Sequence, residues 1–259
     1  MTKIPFAPTL LCLACACTPL QAQTDPAGAG VAFEPQRVLV RAPVVGNLSA
    51  RALLTSVDTV GAATLQDSAI GSNYELFARL PGMQLTPFHQ GTTTGKPSMR
   101  GFNGEGEVNA VKLLIDGVPS NSNDGNMPYL DLVLPLGLQA ITAVRGTNDA
   151  RFGLHNIAGN LDLLTRQGGN ATDARLGLGP WGRADLQLAV DREAGGFSQN
   201  YSVGVRHADG WRAHARADRR SLSGQWAHAP AGQDLRFSAA LRLHQADAQE
   251  PGYLTQAEA

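Results

Sequence analysis

The stretch Leu235-Arg236-Phe237-Ser238-Ala239-Ala240-Leu241-Arg242-Leu243-His244 decides the fold class of the C-terminal part. Its apolar residues sit at every second position, so an extended chain places them all on one face. The pattern recurs upstream. Leu186, Leu188 and Val190 alternate with Asp185, Gln187 and Ala189, and Tyr201, Val203 and Val205 with Ser202, Gly204 and Arg206. Leu222 and Trp226 alternate with Ser221, Ser223 and Gln225. Strands of about 9–11 residues with this period suit a membrane barrel with an apolar outside and a polar lumen. Tight turns at 193–196 and 230–233 and longer connections at 208–219 and 246–259 fit the same architecture. A water-soluble antiparallel sheet has the same period, and an aromatic content of 6% favours it slightly, because barrel girdles use Trp and Tyr. On this block alone the two readings stay open.

Upstream of Gly168-Gly169 the texture is mixed α/β. Ser72-Asn73-Tyr74-Glu75 has the S-x-x-E form of a capping box, which supplies partners for the free amides at a helix start. Leu76, Phe77 and Leu80 then share a helical face, and Pro81-Gly82 ends it. Strands are expected at 98–100, 111–115, 140–145 and 161–165. The connections 88–97, 103–109 and 120–128 are long, polar and glycine-rich, which marks binding loops. Asp116-Gly117 provides the left-handed backbone of a tight turn after an apolar strand.

At the N-terminus Lys3 precedes an apolar core from Leu10 to Ala16, and Pro19-Leu20-Gln21-Ala22 offers a cleavage point after Ala22. This is the layout of a secretory signal peptide. A lipoprotein signal competes, since Cys12, Cys15 and Cys17 lie here, but none has leucine at the third position before it. With all three cysteines inside the signal, the mature chain has no disulfide, thiol nucleophile or cysteine metal site. Residues 23–36 read as flexible. Arg37-Val38-Leu39-Val40-Arg41 is an isolated extended segment, suited to an edge strand or to pairing with another protein's sheet edge.

The remaining composition narrows the function classes. A formal net charge of -1 with 17% charged residues leaves no basic footprint for nucleic acid. No apolar run of about 18 residues is present to form a helical membrane span. The histidines, His89, His155, His207, His214, His228 and His244, are scattered without metal-ligand spacing. No nucleophile-elbow or Walker pattern occurs, and the glycines of 101–106 precede no helix. The chain is not expected to be an enzyme, and neither a cofactor nor a bound metal is expected.

The 56–168 block resembles the plug domain of TonB-dependent outer-membrane receptors, motif by motif and in order. Tyr74-Glu75-Leu76-Phe77-Ala78-Arg79-Leu80-Pro81-Gly82-Met83 is similar to the family's helix ending in Pro-Gly-Val. Arg100-Gly101-Phe102-Asn103 is similar to its Arg-Gly-Phe segment, and Leu113-Leu114-Ile115-Asp116-Gly117-Val118-Pro119 to its strand ending in Asp-Gly-Val-Pro. Ile141-Thr142-Ala143-Val144-Arg145-Gly146, Arg151-Phe152-Gly153 and 157–166 resemble the closing elements. Thr142 stands where the family has Glu, Thr147 where it has Pro, and Asp162 where it has Asn.

The resemblance implies an α+β plug domain, a small mixed sheet with short helices, followed by the first antiparallel strands of an incomplete transmembrane β-barrel. The expected divisions are a signal peptide at 1–22, a flexible segment at 23–45 with a TonB box, the plug at 46–168, and about five barrel strands at 171–259. Too few strands to close a barrel reads as a C-terminally truncated chain. The implied function is energised uptake, as a monomer in the Gram-negative outer membrane, of a scarce ligand such as an iron-siderophore or other large chelate. The implied partners are TonB of the inner-membrane energy-transducing complex, outer-membrane lipid and the ligand. Arg37, Val38, Leu39 and Val40 would meet TonB, and the short gap before them leaves no room for an N-terminal signalling domain. Arg100 and Arg145 would lock plug to wall. His89, Gln90, Thr92, Thr93, Glu105, Glu107, Asn121, Asn123, Asp124 and Asn126 would face the ligand. A passive porin or adhesin, and a secreted soluble β-rich binding protein, are the alternatives. The last predicts that Leu186, Val203, Trp226 and Phe237 pack into a core.

Overall fold

The computed structural model describes residues 56–250, apart from 69, 71, 89–93, 104–107, 128–129, 147–152 and 233. The expected signal peptide, the Arg37–Val40 segment, and the candidates His89, Gln90, Thr92, Thr93, Glu105 and Glu107 lie outside the described residues.

The first body begins with β1 (Val57–Gly61) and a short helix α1 (Ala62–Gln66), followed by a 3₁₀ helix at Asn73–Arg79. A hairpin follows, β2 (Met83–Pro87) with β3 (Gly95–Met99), and then β4 (Val111–Ile115), β5 (Val118–Pro119), β6 (Leu138–Arg145) and β7 (Gly159–Thr165). Two 3₁₀ turns, Leu130–Leu132 and Pro135–Gly137, precede β6. Five of these strands form one sheet in the order β1-β6-β7-β4-β5, in which only β4 and β7 run parallel. Alternation sets the core. Val111, Leu113 and Ile115 of β4, Leu161 and Leu163 of β7, and Ile141 and Ala143 of β6 all face Leu65, Leu76, Phe77, Leu80 and Met99. Gly159 begins β7 at φ +141°, and a Cβ there would lie 2.1 Å from the Val144 carbonyl oxygen. The chain can approach β6 this closely only without a side chain.

The segment expected to be a capped α-helix is a 3₁₀ helix, and the Ser72 side chain makes no cap. The Ser72 carbonyl instead accepts the Glu75 N–H at 3.1 Å. The segment is too short, between extended Ser72 and the Pro81-Gly82 stop, to gain from regular α-helical bonding. The tighter winding buries Asn73, Leu76 and Phe77 together.

The second sheet is a meander of β8 (Ala171–Leu178), β9 (Ala184–Ala194), β10 (Phe197–Ala208), β11 (Ala217–His228) and β12 (Phe237–Ala248), paired antiparallel in chain order. It is open, with β8 and β12 at its edges. Gly195 and Gly196, both at positive φ, make the two-residue turn between β9 and β10. The connection 229–236 is as long as 209–216 and contains a turn at Ala231 and Gly232, the latter at φ 75°. Leu235 and Arg236 fall outside β12, and Arg236 instead donates to Gln167 Oε1 at 3.0 Å.

Burial in this sheet is inverted relative to a water-soluble one. Gln187 is 1% exposed while its neighbour Leu186 is 55% exposed. Asp185, Asp191, Asn200, Ser202 and Ser221 are buried, whereas Val203, Leu222, Phe237, Leu241 and Leu243 are exposed. The register aligns these rows across strands, with Val203 opposite Leu188 and Leu222, and Leu222 opposite Leu243. Leu186, Val203 and Phe237 therefore do not pack into a core. Half-buried Trp226 rests edge-on against Tyr201 on the same outer face and donates its indole N–H to the Tyr201 hydroxyl at 2.9 Å. The polar face is the one that receives the first body.

Candidate functional site

Two regions carry the chemistry, the loop after β5 and the seam between the two sheets. In the loop, Asn121 is a brace. Its Oδ1 accepts the Leu113 N–H at 2.7 Å, and its Nδ2 donates to the carbonyls of Val111 at 3.1 Å and Gly125 at 2.9 Å. Asp124 accepts the Ser122 hydroxyl and the Asn126 N–H, the latter at 3.1 Å. Ser122 and Asn126 hold its carboxyl below the usual range. His155, at φ 63°, bridges the carbonyls of Asn109 at 3.0 Å and Asn123 at 3.2 Å. Asn121, Asn123, Asp124 and Asn126 are thus brought together in one knitted loop, with Asn123, Asp124 and Asn126 exposed.

Arg100 follows β3 in left-handed backbone at φ 54°, with an exposed side chain. Arg145 pairs with Asp58 at 2.6 Å and donates to Ser56 Oγ at 2.7 Å and to the Pro81 carbonyl. These partners of Arg145 all lie in the first body, where it ties β1 and the Pro81 turn to β6.

The seam is held by groups that the sequence did not single out. Asn73 is its hub. Its Nδ2 donates to the carbonyls of Leu130 at 3.1 Å and Val133 at 2.6 Å, and its Oδ1 accepts from Arg206 at 3.0 Å. Arg206 Nε lies 3.0 Å from Asp185 Oδ2, and both side chains are largely buried. Gln187 donates to Asp185, and its Oε1 accepts the Leu136 N–H at 3.1 Å. Arg175 and Arg183 reach across to the carbonyls of Ser68 and Ile70. The second sheet thus offers cations and amides, and the first offers mainly carbonyls.

The Asp116-Gly117 turn is the second attachment. Both residues have positive φ, 53° and 79°, as a tight turn at this place requires. The Asp116 carboxylate accepts the Thr165 N–H at 2.8 Å and pairs with Arg242 of β12. Thr165 Oγ1 lies 2.8 Å from both Asp116 Oδ2 and Gln225 Oε1. Below the turn, Asp162 Oδ1 accepts the Gly117 N–H at 3.1 Å. Burial, with the nearby Asp116 charge adding to it, pushes the Asp162 carboxyl up to about 6. The chain leaving β7 is fastened as well. Arg166 pairs with Asp191 at 3.0 Å and Asp173 at 2.5 Å, and the Asn200 amide brackets the Gly168 backbone at 2.9 Å on both sides.

Replacing Arg242 by Ala is expected to leave Asp116 without its cation in a mostly buried seam. The cost should be about 1–3 kcal/mol, read as faster amide exchange at 116–118 with little change in the β1-β6 pairing.

The seam's interior signal is present in sequence as polar members of the alternating runs, Gln187, Arg206, Gln225 and Arg242. Their partners Ser68, Ile70, Asn73 and Thr165 gave none. Among the described residues no group of three His, Cys, Asp or Glu side chains could hold a metal ion. No described helix is long and apolar enough to cross a membrane, which says nothing about strands.

Residues 49–160 match the family model of the TonB-dependent receptor plug domain. Among solved structures, the chain is similar to the ferric citrate transporter FecA in its unliganded form, with 20% identity and a TM-score of 0.63 over 78% of this chain and 33% of that one. It is likewise similar to the ferric yersiniabactin uptake receptor FyuA from Yersinia pestis, with 17% identity, a TM-score of 0.60 and the same two coverages. The pyoverdine outer membrane receptor FpvA from Pseudomonas aeruginosa PAO1 gives 15%, 0.59, 73% and 27%. The chain spans about a third or less of the length of these structures. No curated protein matches it.

Proposed function

From the premise that this chain carries the plug domain of the TonB-dependent receptor family, we propose that it serves an outer-membrane receptor for energised uptake of a scarce ligand, such as an iron-siderophore or another large chelate. The observation that carries the reading is the inverted second sheet. Its apolar row faces outward as a lipid-facing surface would, and its polar row seats the plug. An inward polar face filled by a separate globular body is a plugged lumen. A passive porin or adhesin has no use for such a body, and a soluble binding protein would not expose Leu186, Val203 and Phe237 together.

In this reading residues 1–22 direct export, 23–45 form a flexible segment, 46–168 are the plug, and 171–259 supply the first strands of the barrel. TonB grips the chain near Arg37, Val38, Leu39 and Val40 and moves the plug, and the receptor works as a monomer. Arg100, exposed at the end of β3, and Arg145 meet acidic groups on the barrel wall. The loops holding His89, Gln90, Thr92, Thr93, Glu105, Glu107, Asn121, Asn123, Asp124 and Asn126 meet the ligand. The solved relatives are named for ferric yersiniabactin, ferric citrate and pyoverdine, and a chelate of that kind is the ligand class proposed here.

Cell fractionation of the complete reading frame's product tests this. The expected product is detergent-dependent, outer-membrane material that shifts on heating in gel electrophoresis. Soluble periplasmic product would overturn the proposal.

A further inference from the structure

Polar residues interrupt the outer face of the second sheet at both ends, and the interruptions shift from strand to strand. Leu178, Ala184, His207, Asp218 and Asp247 stand in one cross-strand row. That row is apolar on β8 and β9 and ionisable from β10 onward. The next row down is Leu176, Leu186, Val205, Arg220 and Gln245, and it turns polar one strand later. Toward the Gly195-Gly196 turn the order reverses. Arg192 and Gln199 share a row with Trp226 and Ala239, and His228 pairs with Phe237. Both polar margins therefore descend toward that turn on going from β8 to β12.

The registers bound the slope. Ala184 lies inside the apolar band, whereas Arg220, two strands on and one row lower, lies outside it. The upper margin thus falls by more than one residue per strand. Leu243, one strand beyond Arg220 and one further row lower, is inside again, so it falls by less than two. The lower margin gives the same limits, the first from Thr172 and Phe237 and the second from Val190 and Gln199. At about 3.4 Å per residue and about 4.8 Å between strands, this slope is a lean of about 35–55°. Two parallel oblique margins are what a flat slab cuts across a leaning sheet. A patch shaped for a globular partner has no reason to show them.

We propose that the second sheet crosses the bilayer obliquely, with one headgroup level running through Thr172, Arg192 and Gln199 and the other through His207, Arg220 and Gln245. This rests on the outer-membrane reading and adds to it a depth for each outward side chain. The lean overlaps the about 35–45° at which membrane barrels tilt their strands. Contacts within each level agree with it. At the first, Arg192 donates to Thr172 Oγ1 at 3.2 Å and to the Ala171 carbonyl at 3.1 Å. Trp226 and Tyr201 lie just inside that level, and the Tyr201 hydroxyl that accepts the indole N–H donates to Gln199 Oε1 at 2.8 Å. Rings in hydrocarbon with their polar ends tied to a margin residue suit an interface. At the second level, the Asp218 carboxylate holds His207 Nδ1 and Arg216, each at 2.6 Å. An upright sheet would put Arg220 in hydrocarbon beside Val205 and Leu186, and the lean lifts it into the headgroups.

The test compares positions that share a row but not a level. Fluorescent labels are placed on Leu178→Cys, Asp247→Cys, Arg192→Cys and Ala239→Cys in the full-length protein, in phosphatidylcholine vesicles carrying an acyl-chain nitroxide lipid. Labels at 178 and 239 should be quenched severalfold more by the nitroxide than their row partners at 247 and 192. Those two should instead yield to iodide in the water. Leu176→Cys and Gln245→Cys repeat the comparison where a label blocks assembly, with 176 expected in lipid and 245 in water. Nitroxide quenching that is equal within each row would overturn the lean while leaving the sheet in lipid. Quenching of every label by iodide alone would overturn the outer-membrane reading and the lean with it.

Discussion

Replacing Asn73 by Ala is expected to unseat the plug from the wall at a cost of about 3–5 kcal/mol. Asn73 is only 4% exposed and serves two plug carbonyls and the Arg206 guanidinium at once. Truncation leaves the Leu130 and Val133 carbonyls and a buried cation short of partners, and each such buried group costs about 1–3 kcal/mol. The Asp185 carboxylate still pairs with Arg206, which keeps the total from rising further. Amide exchange at 130–138 should accelerate about a hundredfold or more, while β9–β10 protection changes little. Asn73→Asp should restore the acceptor for Arg206 but repel the two carbonyls, giving an intermediate loss. An Asn73→Ala protein with native exchange at 130–138 would show that the seat lies elsewhere.

Phe77→Ala is expected to unfold the plug while leaving the second sheet paired. Phe77 is 0% exposed and packs in the cluster with Leu65, Leu76, Leu80 and Met99. Removing a buried phenyl ring costs about 3–5 kcal/mol through lost transfer free energy and the cavity left behind. A small sheet with short helices has little stability in reserve. Urea titration should show a midpoint drop for plug probes near Phe77 and a nearly unchanged one for probes on β9 to β11. A single transition shifted equally for both probe sets would mean that the two bodies share one cooperative core.

What the sequence made legible is what local pattern encodes. The run at Val111–Ile115 between a polar loop and Asp116-Gly117 is a strand wherever it is placed, and β4 spans those residues. Period-two alternation over 185–190, 201–206, 221–226 and 235–244 marks both faces of the second sheet, because a strand has no freedom to hide its parity. The choice between lipid-facing and water-soluble sheets was not legible there. It depends on which face receives another body, and the inverted burial of Leu186 and Gln187 supplied it. The 3₁₀ winding at Asn73–Arg79 was also missed, since S-x-x-E reads as a helix start and burial of Asn73 is a tertiary fact. Asn73 and Arg206 are 133 residues apart, and a pair at that separation leaves no trace in local periodicity. Asp116 was read as a turn residue, and its backbone bears that out, but its bond to Arg242 needed the fold.

Single-cysteine labelling tests the central claim directly. The three cysteines all precede residue 18, so no native cysteine lies among the positions to be labelled. Spin or fluorescent labels at Leu186, Val203, Leu222 and Leu241 in the membrane-inserted, full-length protein should be quenched by a lipid-soluble agent. Labels at Gln187, Ser202 and Ser223 should be quenched by neither the lipid-soluble nor the water-soluble agent while the plug is seated. Water-soluble quenching of the first set, or burial of both sets, would contradict a plug seated on the polar face of lipid-exposed strands.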